Sequence, residues 1–198
     1  MASQQQLPTS SRSLSARLLV LTMVFVLLGE ILIFVPSISR FRKVYLEERI
    51  AAAHLATLSL EASSRNRLSS DLESELLSHA GVLAITLHAP RADLMLGRLP
   101  AVERIFDLRK ATPWTLIAEA AEALWHRGER TIRVMAPSPQ APELLVDISM
   151  RERALWNAMI DYSGRIFNLS IGLSLLTALL VYLSLQLLMV LPLRRITE

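Results

Sequence analysis

Two long apolar runs fix the outline of this chain before any other feature is considered. The first, Leu18–Val35, reads LLVLTMVFVLLGEILIFV and carries Glu30 as its sole ionisable residue. At ~1.5 Å per residue it reaches roughly 27 Å, close to the ~30 Å hydrocarbon core of a bilayer. The second, Ile166–Leu191, reads IFNLSIGLSLLTALLVYLSLQLLMVL and has no charged residue. It is long enough to span a bilayer with some tilt. The pattern predicts two transmembrane helices, both termini on one side and Pro36–Arg165 on the other. Arg12, Arg17 and the small residues around Ser37-Ile38-Ser39 also fit a signal peptide. The first run is longer than the ~7–15 residues of a signal core, which favours retention.

Charge does not orient the chain. Arg12, Arg17, Arg194 and Arg195 flank the termini, while Arg40, Arg42, Lys43, Arg49, Arg151, Arg153 and Arg165 flank the loop. Long loops cross membranes largely regardless of such charges. The net charge of +3 is scattered and forms no basic stripe, which argues against a nucleic-acid partner. With no cysteine, disulfides and thiolate metal sites are excluded.

Between the runs, the apolar period changes several times. Pro36 is expected to disturb the helix at the membrane surface. Helical pattern resumes at Arg40, with Ala51, Leu55, Leu58 and Ala62 on one stripe and Leu68, Leu72 and Leu76 at every fourth residue beyond an expected break near Ser63-Ser64. Val82–His88 alternates as a strand, and DLMLGRL is a candidate partner. TPWTLIAEAAEALWHRG reads as a helix capped by Thr112, opened by Pro113 and ended by Gly128. Its predicted apolar face is Trp114, Ile117, Ala118, Ala121 and Trp125. TIRVMA and ELLVDISM are further strands, joined by PSPQAP as a hairpin link. From Arg151 helical pattern runs into the second apolar segment. A small antiparallel sheet carried on a long helix would bury these faces.

No enzyme signature emerges. His54, His79, His88 and His126 have no metal-ligand spacing, and His54 lacks a phospho-acceptor context. No phosphate-binding glycine loop or nucleophile elbow occurs. An acid inside a span is costly and normally faces a partner, so Glu30 is expected to meet Asn168, Ser170 or Ser174 across the two spans. Ser170, Ser174 and Ala178 form a small-residue stripe suited to close helix approach. Arg91, Arg98, Trp114 and Arg133 are candidates for an anionic-ligand pocket, set against the plainer reading of a solvated surface with one core aromatic.

The last residues, VLPLRRITE, resemble the opening of a HAMP linker. Pro192 restarts a helix past the span, Arg194 and Arg195 sit at headgroup level, and Leu193 and Ile196 begin a new apolar seam. Together with RLLVLTMVFVLLGEILIFVPSISRFRKVYLEERIAAAHLATLSLEA and MIDYSGRIFNLSIGLSLLTALLVYLSLQLLMVLPLRRIT, the chain is similar to the input half of alphaproteobacterial sensor histidine kinases. The resemblance implies an α+β membrane protein in which two transmembrane helices flank a small PAS-like (Cache-type) periplasmic domain with long membrane-proximal helices. It implies a cytoplasmic tail at 1–17, a span at 18–35, the periplasmic sensor at 36–165, a span at 166–191 and the start of a HAMP linker at 192–198. The expected setting is the bacterial inner membrane, multi-pass, as a homodimer in lipid. A complete relative would be an ATP-dependent protein-histidine kinase acting on a cognate response regulator. Its ATP and Mg would bind in domains outside these residues, and no catalytic residue can be carried over. The chain is accordingly expected to be a piece of a longer sensor, or a truncated product with no kinase activity of its own. The same input half can also feed a chemoreceptor or a cyclic-dinucleotide enzyme. A free-standing two-span protein that modulates a partner is an alternative of another class, and a cleaved, singly anchored periplasmic protein is the third.

Overall fold

A computed structural model of the chain describes residues 11–62, 70–88 and 93–185. The first helix, α1 (Ser11–Ala62), runs without interruption for 52 residues, about 78 Å at the ideal rise. The disturbance expected at Pro36 does not end it. Pro36 removes one helical donor, but the turn that follows is fixed by packing: Ile38, Ser39 and Arg42 are buried. Ser39 Oγ also donates to the Pro36 carbonyl at 2.9 Å.

Beyond Pro36, α1 buries Leu46, Ile50, Ala53 and Ala56 in the core. The stripe read from the sequence lies to one side of that face. Leu55 and Leu58 are exposed and Ala51 is half-buried, while the Ala62 side chain lies outside the described residues. A short helix, α2 (Ser70–Ala80), lays Leu76 and Leu77 on the core and leaves Leu72 exposed. Leu68 and the expected break at Ser63-Ser64 fall outside the described residues.

Five strands follow: β1 (Ala84–His88), β2 (Asp93–Gly97), β3 (Arg104–Asp107), β4 (Thr131–Pro137) and β5 (Leu145–Arg151). They form one sheet in the order β2-β1-β5-β4-β3. The hairpin partners β1 and β2 are antiparallel, with Ile85 opposite Leu96, and β5 lies antiparallel between β1 and β4. The sheet is mixed rather than purely antiparallel, because β3 pairs parallel to β4, with Phe106 opposite Val134. The physical reason is the helix between them: α3 (Pro113–Trp125) carries the chain back to the end from which β3 began. Strand β3 has too few residues to display an alternation of its own.

One sheet face carries Ile85, Leu87, Leu96, Phe106, Ile132, Val134, Ala136, Val146, Ile148 and Met150, all buried in the common core. The alternation predicted for β4 and β5 therefore sets their inward faces.

Helix α3 starts as the sequence suggests. Thr112 Oγ1 accepts from the Thr115 N–H at 3.3 Å, Thr115 Oγ1 accepts from the Thr112 N–H at 2.8 Å, and Pro113 opens the helix. Gly128, at φ 72°, lies beyond its C-terminal end, where an added Cβ would stand 2.6 Å from Arg153 Cα. The buried face, however, is not the one expected. Ala120 and Ala123 are buried, whereas Trp114 and Trp125 are 79% and 85% exposed. Ion pairing overrides hydrophobicity here. The inner face carries Glu119 and Glu122 to three arginines, and its alanines let α3 lie close to α1.

The last helix, α4 (Glu152–Leu185), begins directly where β5 ends. It runs antiparallel beside α1. Phe41 stacks on Tyr162 with ring centroids 4.2 Å apart, and Ser37 Oγ lies 2.8 Å from Tyr162 Oη. Among the described residues one helix is long and apolar enough to cross a membrane, within Val24–Ser59 of α1.

Candidate functional site: a strand-to-helix junction above a polar helix contact

The chemistry of the molecule concentrates where β5 becomes α4. Glu152, the first residue of α4, is fully buried. Arg130 donates to both of its carboxylate oxygens, Nε to Oε2 at 2.6 Å and Nη2 to Oε1 at 3.1 Å. The Glu152 N–H in turn donates to the Arg130 carbonyl at 3.0 Å. Arg130 also reaches Glu122 of α3 at 2.7 Å, and Arg104 of β3 meets the other oxygen of Glu122 at 3.2 Å. Arg42 of α1 completes the group by donating to Glu119 at 2.7 Å.

The aromatic ring of Phe106 lies among these cations. Arg42 sits over it at 4.4 Å, Arg130 at 5.8 Å and Arg104 at 5.9 Å. Three arginines thus balance three glutamates, and four structural elements plus the Arg130 turn are joined through one ring. Burial would depress Arg130, but Glu152 and Glu122 together outweigh it and hold its pKa above the ordinary value. Arg42 differs. Burial pulls its pKa below the ordinary value despite Glu119, and its Nε and Nη2 have no hydrogen-bond partner. This network is structural in chemistry: it contains no nucleophile and no free acid–base pair.

Toward the apolar end of the helix pair, Ser170 Oγ donates to Glu30 Oε1 at 2.6 Å. The structure therefore brings Glu30 together with Ser170. Asn168 and Ser174 are exposed on α4 and make no hydrogen bond to Glu30. Glu30 and Ser170 border a groove of about 680 Å³ between the helices, walled by Phe34, Ile160, Phe167 and Leu173. It is almost wholly apolar. Pro192, Arg194 and Arg195 lie outside the described residues, as does the side chain of Ala178.

The residues considered for an anionic-ligand pocket are dispersed. Arg91 is outside the described residues, and Arg98 follows β2 at one edge of the sheet. Arg133 lies on β4, two strands beyond β1, and its Nε donates to Asp147 at 2.7 Å. That bond, ahead of burial, holds the Arg133 pKa above its ordinary value. Trp114 stands on the outer face of α3.

The histidines are likewise separate. His54 is buried, with Nδ1 2.6 Å from Ser138 Oγ. His88 pairs with Asp93 across the β1–β2 hairpin at 3.2 Å. His79 in α2 and His126 just past the end of α3 each place Nδ1 against the carbonyl four residues earlier. Among the described residues no three His, Cys, Asp or Glu side chains are grouped to hold a metal ion.

The arginine–glutamate network was not anticipated from the sequence. Its members are scattered from Arg42 to Glu152, and the available signal was Glu119 and Glu122 on one side of a helix whose opposite side is apolar. Comparison with protein-family models, curated proteins and solved structures returns no match.

Proposed function

We propose that this chain is the membrane input module of a two-component sensor histidine kinase. In this reading α4 crosses the inner membrane beside α1 as a second span, and residues 36–165 form a PAS-like, Cache-type sensor in the periplasm. A change in the sensor shifts α4 against α1, and the shift enters a HAMP linker opened by Pro192, Arg194 and Arg195. The parallel homodimer expected of the family is permitted by the stripe at Ala51, Leu55, Leu58 and Ala62. ATP, Mg and the response regulator would engage domains beyond these residues.

The observation that carries the reading is the loop-free passage from β5 into α4, clamped at Glu152 by Arg130. An element at the middle of the sensor sheet is thereby mechanically continuous with the helix that enters the membrane. The exposed Leu169, Leu173, Leu175 and Leu176 of α4 match the exposed Leu32 and Ile33 of α1, which supports burial of both helices in lipid. The Glu30–Ser170 hydrogen bond gives an intramembrane acid a partner on the other helix.

Two measurements test this. Alkaline phosphatase fused after Glu129 is expected to be active, and green fluorescent protein fused after Glu198 to fluoresce. A dark fusion at Glu198 would remove the second span. The coding sequence past codon 198 is then expected to continue through a HAMP linker to a His-Glu phospho-acceptor helix. A chemoreceptor or cyclic-dinucleotide domain there keeps the module and overturns the kinase, and a stop codon with stable protein overturns both.

A further inference from the structure

Helix α3 turns its ion-paired face inward and its two tryptophans outward. Trp114 and Trp125, 79% and 85% exposed, bracket Ala118 and Ala121, which are exposed as well. At 3.6 residues per turn the four side chains fall within about 60° of arc, and the tryptophans are about 16.5 Å apart along the axis. No charged residue lies on that line. We propose that this outer face of α3 is a contact between two copies of the chain, with Ala118 and Ala121 at the crossing and the tryptophans closing over its ends.

The spacing argues for a second copy rather than an unrelated partner. Large residues stand four positions outside each alanine, so the stripe reads the same from either end. A twofold-related pair places like against like at its axis, and this face meets that demand with small residues at the centre and large ones at both flanks. Alanines at the crossing let the two backbones approach closely.

Area agrees with a pair that is already anchored together. Four mostly exposed tryptophans, at about 150–250 Å² each, bring roughly 500–800 Å² to the contact. That is about a third to a half of the ~1,600 Å² typical of free complexes. Chains held in one membrane meet at raised effective concentration, so a contact of this size suffices. The inference takes only membrane anchoring from the function proposed above.

The native chain has no cysteine, so single-cysteine variants report the contact cleanly. The full chain is reconstituted in lipid vesicles carrying Ala118→Cys, Ala121→Cys, Leu55→Cys on α1 or Ser74→Cys on the exposed side of α2, and oxidised. Disulfide-linked dimer is expected at Ala118→Cys and Ala121→Cys at least fivefold above Ser74→Cys. Adding Trp125→Ala to Ala118→Cys is expected to cut that yield at least fivefold with the melting midpoint unchanged. Dimer at Leu55→Cys, with positions 118 and 121 no better than Ser74→Cys, would move the interface to α1 and overturn the proposal. It is equally overturned if acyl-brominated lipids quench the parent emission more than that of a Trp114→Phe, Trp125→Phe variant, because the face would then lie against lipid.

Discussion

Arg130 grips both oxygens of Glu152, at 2.6 and 3.1 Å, across the point where β5 turns into α4. Replacing Arg130 by Met strands a fully buried carboxylate. Removing one partner of such a pair costs about 3–5 kcal/mol. The Arg130→Met variant is expected to melt well below the parent when followed by far-UV circular dichroism in micelles. Glu152→Gln, which keeps an acceptor for Arg130, should lose clearly less. Equal midpoints for Arg130→Met and parent would contradict the clamp.

Arg42 and Glu119 predict the opposite trend. Arg42 is desolvated, has two unpartnered nitrogens, and meets a carboxylate at 2.7 Å. Replacing a buried pair with apolar residues of similar volume is often neutral or stabilising by about 1–4 kcal/mol. The double variant Arg42→Met, Glu119→Leu should therefore equal or exceed the parent in urea midpoint. A fall greater than that of Arg42→Met alone would show that the pair stabilises the fold.

Acid sensitivity should centre on Glu122. Burial would raise this carboxyl, but hydrogen bonds and charge from Arg130 and Arg104 outweigh it and hold the pKa below the ordinary value. A carboxylate lowered in the native state stabilises above its unfolded pKa, and that contribution is lost as pH falls through the native value. Stability is expected to decline as pH falls below the ordinary Glu pKa, about 4.3. Glu122→Gln should be less stable at pH 7 and have a flatter acid limb. Parallel limbs in pH-dependent melting would assign the acid transition to other groups.

Gly128 occupies a left-handed conformation with φ 72° and faces Arg153 backbone at 2.6 Å from a hypothetical Cβ. Gly128→Ala adds both conformational strain and a clash that no side-chain rotation relieves, for a cost of about 1–3 kcal/mol. Gly164→Ala is the control, since nothing stands within 4 Å of its Cβ position. Thermal unfolding should separate the two variants, and coincident midpoints would remove the argument.

Much of the sheet domain could be read from periodicity. The inward residues Ile132, Val134, Val146, Ile148 and Met150 follow from simple alternation, and Thr112 with Pro113 mark the start of α3. Helix α1 was harder, because Pro36 speaks locally for a disturbance that buried residues just beyond it override. Strand β3 is only four residues long, and its parallel pairing depends on where α3 returns the chain. The outward tryptophans were illegible for a different reason. Hydrophobic patterning ranks Trp above Glu for burial, and only the positions of Arg42, Arg104 and Arg130 in space reverse that order. Glu30 was legible as an acid in need of a partner, and the pairing with Ser170 follows from the antiparallel alignment that Phe41 and Tyr162 set higher up.

Strand β5 is hydrogen-bonded on both sides, to β1 and to β4. A slip by one residue would turn Val146 and Ile148 out of the core, so the smallest slide that keeps the faces is two residues, roughly 6.6–6.8 Å. Helix shifts at subunit interfaces are ~1–2 Å. The strand cannot absorb displacements of that size by creeping along its neighbours. It acts as a ratchet tooth seated between two racks: a push or pull on α4 either moves the whole sheet as one block or does not reach it at all.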